Sequence, residues 1–213
     1  MRPVIFLGPS LPLAEAKEIL DADYRPPAKR GDLQHLEGAE VVGIIDGVFL
    51  QSCSVGHREI LSLLNRKVKV IGGGSMGALR AAEMGHYGMT GVGQIYKMYA
   101  SGEVQGDDEV ALVFDPETME PLSEPLVNLR SLLNAAWMAD VIDSAQRAGI
   151  LSEMRSIYYP RRTIATFMEV AHVILGEDRA IKFDRFFADN YRDIKKEDAI
   201  TVLKHVKGVC ESM

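Results

Sequence analysis

The sequence predicts an α/β fold, in which a small parallel sheet flanked by helices is followed by an all-helical C-terminal subdomain. Two patterns carry this prediction. In the first half of the chain, short runs rich in valine and isoleucine alternate with helical segments. From Leu126 onward, apolar residues recur every three or four positions, as along one face of a helix. The 213 residues, 47% hydrophobic and 25% charged, suffice for a sizeable core.

The predicted strands of the first half are β-branched runs at residues 3–8, 40–46 and 68–71. The second run is almost continuously apolar, which is typical of a strand covered on both faces. Helices are expected where alanine, leucine, glutamate and lysine dominate. They lie at residues 13–20, 57–66, from Ser75 or Met76 to 84, and 93–100, with a short helix opening at Gly31. Because strands and helices alternate, the strands are expected to be parallel.

The second half is predicted to be mainly helical. A turn at residues 106–109 leads into a strand at 110–114, and residues 116–125 are expected to form a hairpin or an extended loop. Further helices are expected at residues 126–141, 163–175, 178–191 and 197–209. We place the α/β core at residues 1–122 and the helical subdomain or cap at residues 123–213.

Composition and charge argue against several classes of function. The chain has 24 basic and 30 acidic residues and a net charge of -6, so nucleic-acid binding is not expected. Five scattered histidines and two cysteines show no metal-ligand spacing, and no metal or cofactor is expected. No apolar run approaches the roughly 20 residues of a membrane span, and the chain start does not resemble a signal peptide. We therefore expect a cytoplasmic protein without membrane contact.

Polar residues follow each of the three predicted strands. Ser10 comes shortly after the first strand, Asp46 ends the second, and Ser75 follows the third. Ligands of parallel α/β sheets gather at the carboxyl ends of the strands. We therefore expect Ser10, Asp46 and Ser75 to approach one another at one edge of the sheet.

The segment Gly72-Gly73-Gly74-Ser75-Met76-Gly77 has three interpretations. Gly73 to Gly77 fits G-x-S-x-G between a strand and a helix, the context of a nucleophile elbow, in which the Met76 amide would stabilise an oxyanion. Gly72 to Gly77 also fits the dinucleotide fingerprint G-x-G-x-x-G. In the third interpretation, the glycines let a helix pack closely on the sheet and Ser75 caps that helix.

A serine nucleophile needs a base. His57 begins the helix after the second strand, and its simplest interpretation is a solvated helix-start residue. Lys29 lies in a proline-containing loop; a buried lysine can act as a base, whereas an exposed one is only a surface charge. Cys53, close to His57, could be a nucleophile or a small apolar filler.

Taken together, these segments resemble the TfuA-like family from Gly8 to about Ala111. The segments that carry the resemblance are Ile45-Asp46-Gly47-Val48-Phe49, Val55-Gly56-His57-Arg58-Glu59-Ile60-Leu61, Ser75-Met76-Gly77-Ala78-Leu79-Arg80-Ala81-Ala82-Glu83, Gly88-Met89-Thr90-Gly91-Val92-Gly93 and Asp107-Asp108-Glu109-Val110-Ala111. Five motifs in the same order are far more specific than G-x-S-x-G alone.

The resemblance implies a role in thioamidation, the replacement of a peptide amide oxygen by sulfur. TfuA-like proteins work with YcaO enzymes, which activate the amide with ATP. The TfuA-like partner is expected to hydrolyse the C-terminal thiocarboxylate of a ThiS-type sulfur carrier protein and to help YcaO engage its peptide or protein substrate. The family is associated with a hydrolase-like serine–lysine pair.

This resemblance gives the strand-end residues roles. Ser75 would be the nucleophile, and the amides of Met76 and of Gly8 or Gly47 would hold the oxyanion. Arg58 stands where the family usually has a lysine, so the base would be Lys29 or His57, or the activity would be weakened. The remaining residues expected at the site are Ser10 (also an alternative nucleophile), Asp46, Arg58 and Arg80.

Two other functional classes fit the same sequence. The chain could be a non-catalytic adaptor that binds YcaO and the substrate peptide. It could also be a nucleotide-binding regulatory domain that uses the three glycines, although no acidic ribose ligand is apparent after the glycine-rich turn.

Overall fold

The computed structural model describes residues 2–49 and 53–213 and confirms the α/β fold class. Among these residues, five parallel strands form one sheet in the order β2-β1-β3-β4-β5. The strands are β1 (Val4–Phe6), β2 (Asp23–Arg25), β3 (Val41–Ile44), β4 (Lys69–Gly72) and β5 (Thr90–Gly91).

The helices differ in length from two to five turns. They are α1 (Leu13–Ile19), α2 (His57–Asn65), α3 (Met76–Met84), α4 (Gln94–Ala100), α5 (Leu126–Met138), α6 (Ser144–Ser156), α7 (Ile164–Leu175), α8 (Glu177–Asn190) and α9 (Ile194–Glu211). Short 3-10 turns lie at Gly85–Tyr87, Asp107–Glu109 and Tyr159–Arg161.

Two compact units divide these elements. Unit 1 comprises Met1–Asp107 together with Ile194–Met213, and it contains the sheet with α1–α4 and α9. Unit 2 comprises Asp108–Asp193 and contains α5–α8. The sequence-based boundary between residues 122 and 123 stays a prediction.

Helices cover both faces of the sheet in unit 1. Ile5, Gly43 and Ile71 are neighbours across β1, β3 and β4. A Cβ atom on Gly43 would lie 3.4 Å from Cγ2 of Val206, so this face packs against α9, and α1 joins the same apolar cluster. On the other face, a Cβ atom on Gly72 would lie 2.2 Å from the carbonyl oxygen of Gly77 in α3. Burial on both faces explains the nearly continuous apolar runs of the strands.

The direction in which successive strands are added to the sheet reverses between β1 and β3. From β1 the chain passes through α1 to β2 at one edge, whereas from β3 it passes through α2, β4 and α3 to β5 at the other edge. Since α1 and α3 lie on opposite faces, the carboxyl ends of β1 and β3 form a topological switch point. Ligands of open α/β sheets bind at such a point.

Unit 2 combines an apolar core with a buried polar network. Its core joins side chains from α5, α6, α7 and α8, including Leu129 and Phe167. Nη2 of the buried Arg162 donates to Oδ2 of Asp108 at 2.6 Å, and its Nε donates to two backbone carbonyls. Glu109, also buried, pairs with Arg130 and with Arg155.

Several elements differ from the sequence-based predictions. Residues 110–114 form no strand; Phe114 makes one bridge to Pro121, and Val113 pairs with the returning loop through Leu122. Val110, Ala111 and Leu112 are buried, so the apolar run reflects burial and not membership of the sheet. The helix expected at Gly31 is a series of turns, and β2, β5 and α6 are elements that the sequence analysis missed.

Candidate functional site

Asp46 lies at the switch point and organises the loop that follows β1. Its buried carboxylate accepts the backbone N–H of Gly8 through Oδ2 at 2.9 Å and that of Ser10 at 3.1 Å. Oδ1 accepts the hydroxyl of Ser10 at 2.6 Å. The structure therefore brings Ser10 and Asp46 together, and the loop amides that could hold a bound anion at this point already donate to Asp46.

Ser75 lies at the same edge of the sheet, immediately after β4. It precedes the first residue of α3, but its side chain makes no capping hydrogen bond. The residue is 1% exposed, and its Oγ has no hydrogen-bond partner. The N–H of Gly77 donates to the carbonyl of Ile45 at 3.1 Å, which ties the start of α3 to the end of β3.

Close packing and backbone conformation account for two glycines of this segment. A Cβ atom on Gly77 would lie 1.7 Å from the carbonyl oxygen of Ile44, which leaves no room for a side chain. Gly74 has a φ of +73°, a conformation that L-residues rarely adopt. These contacts support the part of the third interpretation that concerns close packing, whereas Ser75 does not act as a capping side chain.

The three backbone amides predicted for an oxyanion differ in their surroundings. The N–H of Gly8 is engaged by Asp46. A Cβ atom on Gly47 would lie 2.7 Å from Cγ of Met76, so Gly47 and Met76 are neighbours. Met76 is the first residue of α3, where backbone N–H groups have no acceptor one turn earlier in the helix.

The loop that carries Lys29 runs along the end of β3. Ala28 donates its N–H to the carbonyl of Asp46 at 2.9 Å, and Lys29 forms a bridge with Ser54. Lys29 is exposed, whereas the hypothesis of a desolvated lysine base requires a buried ammonium group. The structure therefore places Lys29 near the switch point without burying it.

His57 begins α2 as predicted, but its ring is held by α3. Nε2 of His57 lies 2.8 Å from Oε2 of Glu83, and 53% of the side chain is exposed. Glu83 is eight residues beyond Ser75, about 12 Å along the helix axis. In this arrangement, His57 does not contact the Ser75 hydroxyl.

Arg80 and Arg58 differ in exposure. Arg80 is buried: its Nε donates to the carbonyl of Val55 at 3.0 Å and its Nη1 to Glu83 at 2.6 Å. Arg58 is exposed at the start of α2. Arg80 therefore holds the loop before α2 against α3, a contact that the sequence analysis did not anticipate.

Glu59 is a buried carboxylate that the sequence analysis passed over. Its Oε2 accepts the N–H of Gly31 at 2.8 Å, and its Oε1 accepts the N–H of Gly56 at 3.1 Å. It thereby joins the Lys29 loop to the start of α2. Glu59 stands three residues after the N-cap residue Gly56 and supplies one half of a capping box; because Gly56 has no side chain, the other half is missing and the sequence signal is weak.

Asp198, from α9, caps α4. Its carboxylate oxygens accept the N–H groups of Gln94 and Ile95, each at 2.7 Å. A Cβ atom on Gly93 would lie 2.4 Å from Cγ of Asp198, so glycine is required there. Burial raises the pKa of Asp198 above its ordinary value, although both backbone hydrogen bonds act in the opposite direction. Nothing in the local sequence pairs residues 94 and 198.

Other features lie away from this edge. A cavity of about 330 Å³ lies at the amino ends of β1 and β3, lined in part by Pro3, Val41 and Cys210. Burial raises the pKa of the Cys210 thiol. The described part of the chain holds no cluster of histidine, cysteine and carboxylate side chains suited to a metal ion. None of its helices combines the length and apolar character needed to cross a membrane.

Comparison with known proteins identifies the family. No curated protein is similar enough to this chain to count as a match. The family model of TfuA-like proteins matches residues 46–163, more than half of the chain. The matched region includes Asp46, His57, Ser75 and Arg80, whereas Lys29 lies outside it. The chain therefore belongs to the TfuA-like family.

Proposed function

We propose that this protein is an accessory hydrolase of peptide-backbone thioamidation. It would release sulfide from the C-terminal thiocarboxylate of a ThiS-type sulfur carrier protein and assist a partner YcaO enzyme. The TfuA-like family is associated with thioamidation and with YcaO partners, which supports the general role. The hydrolysis step and the carrier are our proposal.

One observation carries the hydrolase assignment. The Ser75 hydroxyl is buried without a hydrogen-bond partner at the carboxyl end of β4, where α3 begins. An unpartnered buried hydroxyl costs folding free energy, so a protein retains one more readily when it serves a function. The positive end of the α3 dipole and the Met76 amide favour negative charge beside this hydroxyl.

The proposed reaction is acyl transfer in two steps. Oγ of Ser75 attacks the carbonyl carbon of the thiocarboxylate, and the negative charge on oxygen faces the Met76 amide. The carbon–sulfur bond then breaks, hydrosulfide leaves, and the carrier remains as an ester on Ser75. Water cleaves that ester and returns the carrier with a C-terminal carboxylate. A base takes the proton of the Ser75 hydroxyl and donates it to the departing sulfur, which leaves as hydrosulfide.

The base would be the side chain that reaches Ser75 when the carrier is bound. Lys29 remains our first proposal, because its loop is hydrogen-bonded to Asp46 at the switch point and its side chain is free to reorient at the surface. His57 is our second proposal for the base. Its ring contacts Glu83 and would have to break that contact before it could approach Ser75. Catalytic hydrogen bonds often form only in the substrate complex.

The adaptor is the second candidate function. It is favoured by the burial of Ser75 together with the absence of a base hydrogen-bonded to its Oγ. In this role the protein would bind YcaO and the substrate peptide without performing acyl transfer.

The test is sulfide release from thiocarboxylated ThiS-type carrier by the purified protein. Ser75→Ala is expected to abolish release, and either Lys29→Ala or His57→Ala is expected to lower it by about 100-fold or more. Val173→Ala, at an exposed position on α7, is a control that should release sulfide at the wild-type rate.

Two results would contradict the hydrolase assignment. If Ser75→Ala releases sulfide as fast as the wild type, Ser75 is not the nucleophile, and Ser10→Ala then tests the alternative serine. If the wild type releases none, the adaptor is favoured, and it predicts that YcaO binds its substrate peptide more tightly in the presence of this protein.

A further inference from the structure

Two large apolar side chains are exposed at the end of α5 in unit 2. Trp137, the single tryptophan of the chain, is 43% exposed, and Met138 beside it is 79% exposed. Leu129, Leu133 and Ala136 of the same helix are buried in the core of the unit. Tryptophan is highly buried on average, and aromatic residues and methionine are enriched where proteins bind one another. Trp137 and Met138 therefore have the character of interface residues.

Arg147 of α6 holds the indole ring of Trp137. Its Cζ atom lies 4.7 Å from the centroid of the ring, within the range of a cation–π contact. Its Nη1 donates to Oδ1 of Asn134 at 2.7 Å, and its Nε is buried without a hydrogen-bond partner among the described residues. A side chain that is already held in place loses less conformational entropy when a partner binds. The exposed part of the ring is therefore arranged as a rigid anchor.

The net negative charge of the molecule lies in the unit that carries this ring. Unit 2 contains 15 acidic and 9 basic residues, whereas unit 1 contains 15 of each. Among the acidic residues of unit 2 only Glu109 is buried, so the excess of negative charge lies at the surface of the unit. A surface with such an excess attracts a basic partner and repels an acidic one.

An exposed carboxylate follows the two apolar residues in the chain. Asp140 lies in the turn after α5, and its N–H donates to the carbonyl of Trp137 at 3.1 Å. Its φ of +55° is in the left-handed region, which aspartate and asparagine adopt more readily than most residues. This turn therefore adds a negative charge at the same end of α5 as the apolar anchor.

We propose that Trp137, Met138 and Asp140 form a docking surface for a basic, partly apolar face of the partner YcaO enzyme. This inference rests on the proposed function for the identity of the partner, and it adds the surface that binds it. The other partner, the sulfur carrier, has an anionic C-terminal thiocarboxylate, which the acidic surface of unit 2 repels. Trp137 supplies the apolar anchor, and Asp140 attracts a lysine or arginine at the rim.

The test is binding of the purified YcaO-type enzyme of the same organism to the full chain. Trp137→Ala is expected to raise Kd by about 30-fold or more, and Trp137→Phe, which keeps an aromatic ring, by less. Asp140→Asn fits the left-handed backbone and should slow association by about twofold or more at low salt without changing koff.

Two matched controls accompany these variants. Tyr87→Ala removes an exposed aromatic ring from unit 1, and Glu153→Gln removes an exposed carboxylate from α6. Both should bind YcaO as the wild type does. Equal losses of affinity in Trp137→Ala and Tyr87→Ala would overturn the inference, as would an unchanged Kd for a folded Trp137→Ala variant.

A further measurement does not require any substitution. Because the chain has one tryptophan, protein labelled with fluorotryptophan gives one fluorine NMR signal, which reports on Trp137 alone. Binding of YcaO should change the chemical shift of this signal, whereas the sulfur carrier should leave it unchanged. A signal that keeps its chemical shift in the YcaO complex would contradict the proposal, and so would a signal that responds to the carrier instead.

These outcomes are independent of the hydrolase assignment, because sulfide release from the carrier is measured without YcaO. If the wild type binds YcaO through Trp137 but releases no sulfide, the hydrolase fails and the docking surface stands. If the wild type releases sulfide but does not bind YcaO, the docking surface fails and the hydrolase stands.

Discussion

Ser10 and Ser75 are both buried at the carboxyl edge of the sheet, but their hydroxyl groups have opposite surroundings. The Ser10 hydroxyl donates to the charged carboxylate of Asp46, whereas that of Ser75 has no partner. A hydrogen bond to a charged group stabilises a fold, and an unsatisfied buried hydroxyl destabilises it. The two serines therefore form a natural pair for separating structural from functional roles.

We predict that alanine substitutions at the two serines have opposite effects on stability. Ser10→Ala should lower the free energy of unfolding by about 1.5–3 kcal/mol, because the Asp46 carboxylate loses a donor. Ser75→Ala should leave it unchanged or raise it by up to about 1 kcal/mol, because the unsatisfied hydroxyl is removed. Urea denaturation monitored by circular dichroism measures both values.

The stability of Ser75→Ala also determines how its sulfide release is interpreted. A stable Ser75→Ala variant that releases no sulfide would have lost chemistry rather than fold. A clear loss of stability in Ser75→Ala would show instead that the hydroxyl has a partner in solution, and its burial would then no longer support a catalytic role.

At the scale of elements, α6 shows how a cap can mark a helix that lacks a strong apolar stripe. Only Ile150 and Met154 are buried in α6, so the hydrophobic pattern did not reveal it. Asp143 precedes the helix and accepts the N–H of Gln146 at 2.8 Å, while the Gln146 side chain accepts the N–H of Asp143 at 3.1 Å. This reciprocal capping box was visible in the sequence and was not used.

The α6 cap gives a prediction with a defined pH dependence. The hydrogen bond from the Gln146 backbone, assisted by Arg179, holds the pKa of Asp143 below its ordinary value of 3.8, despite a smaller opposing effect of desolvation. A carboxylate with a lowered pKa stabilises the fold above pH 3.8, and this contribution is lost as the pH falls through the folded-state pKa. Asp143→Ala should therefore lower Tm at pH 7, and the difference from the wild type should shrink in acid.

Asp143→Asn serves as the control for this prediction. Asparagine keeps a capping oxygen without the charge, so its Tm at pH 7 should lie between those of the wild type and Asp143→Ala. Thermal unfolding between pH 2.5 and 7 tests the prediction. A Tm difference between wild type and Asp143→Ala that persists unchanged in acid would show that charge plays no part.

Residues 110–114 show that an apolar run can predict an element that does not form. Its apolar run predicted a strand, but Val110, Ala111 and Leu112 are buried without joining the sheet, and Val113 and Phe114 pair with the returning loop at Leu122 and Pro121. A short apolar run indicates burial, and it becomes a strand only if a sheet edge is available.

At the scale of the whole molecule, the last helix completes the first unit. Ala199, Val202, Leu203 and Val206 of α9 join the apolar cluster formed by β1, β3, β4 and α1. Asp198 adds the cap on α4. Residues distant in sequence from the sheet therefore supply much of one of its covering layers.

We predict that deletion of residues 194–213 unfolds unit 1. Burial of Val202, Leu203 and Val206 contributes about 5–9 kcal/mol, which is comparable to the whole stability of a typical domain. Amides of β1, β3 and β4 should lose protection in hydrogen exchange, whereas those of α5 and α7 report on unit 2.

Deletion of residues 212 and 213 alone is the control, because it leaves α9 intact. This variant should protect the strands as the full chain does. If the longer deletion also kept the strands protected, α9 would not be needed to hold unit 1 together.

The sequence by itself determined the fold class, the three central strands, the helices around them and the family. Alternation of apolar runs and helical patterns is a local property, and so are the motifs around Asp46, His57 and Ser75. Local patterns also predicted that polar residues end neighbouring strands, which the contact between Ser10 and Asp46 shows.

Only the tertiary structure decided which groups meet. It placed His57 on Glu83, engaged the Gly8 amide with Asp46 and left Lys29 exposed. These outcomes depend on burial and on contacts between residues far apart in the chain. Hydrogen-bond partners and the desolvation of a charge are set by the packing of whole elements, and a local pattern contains neither.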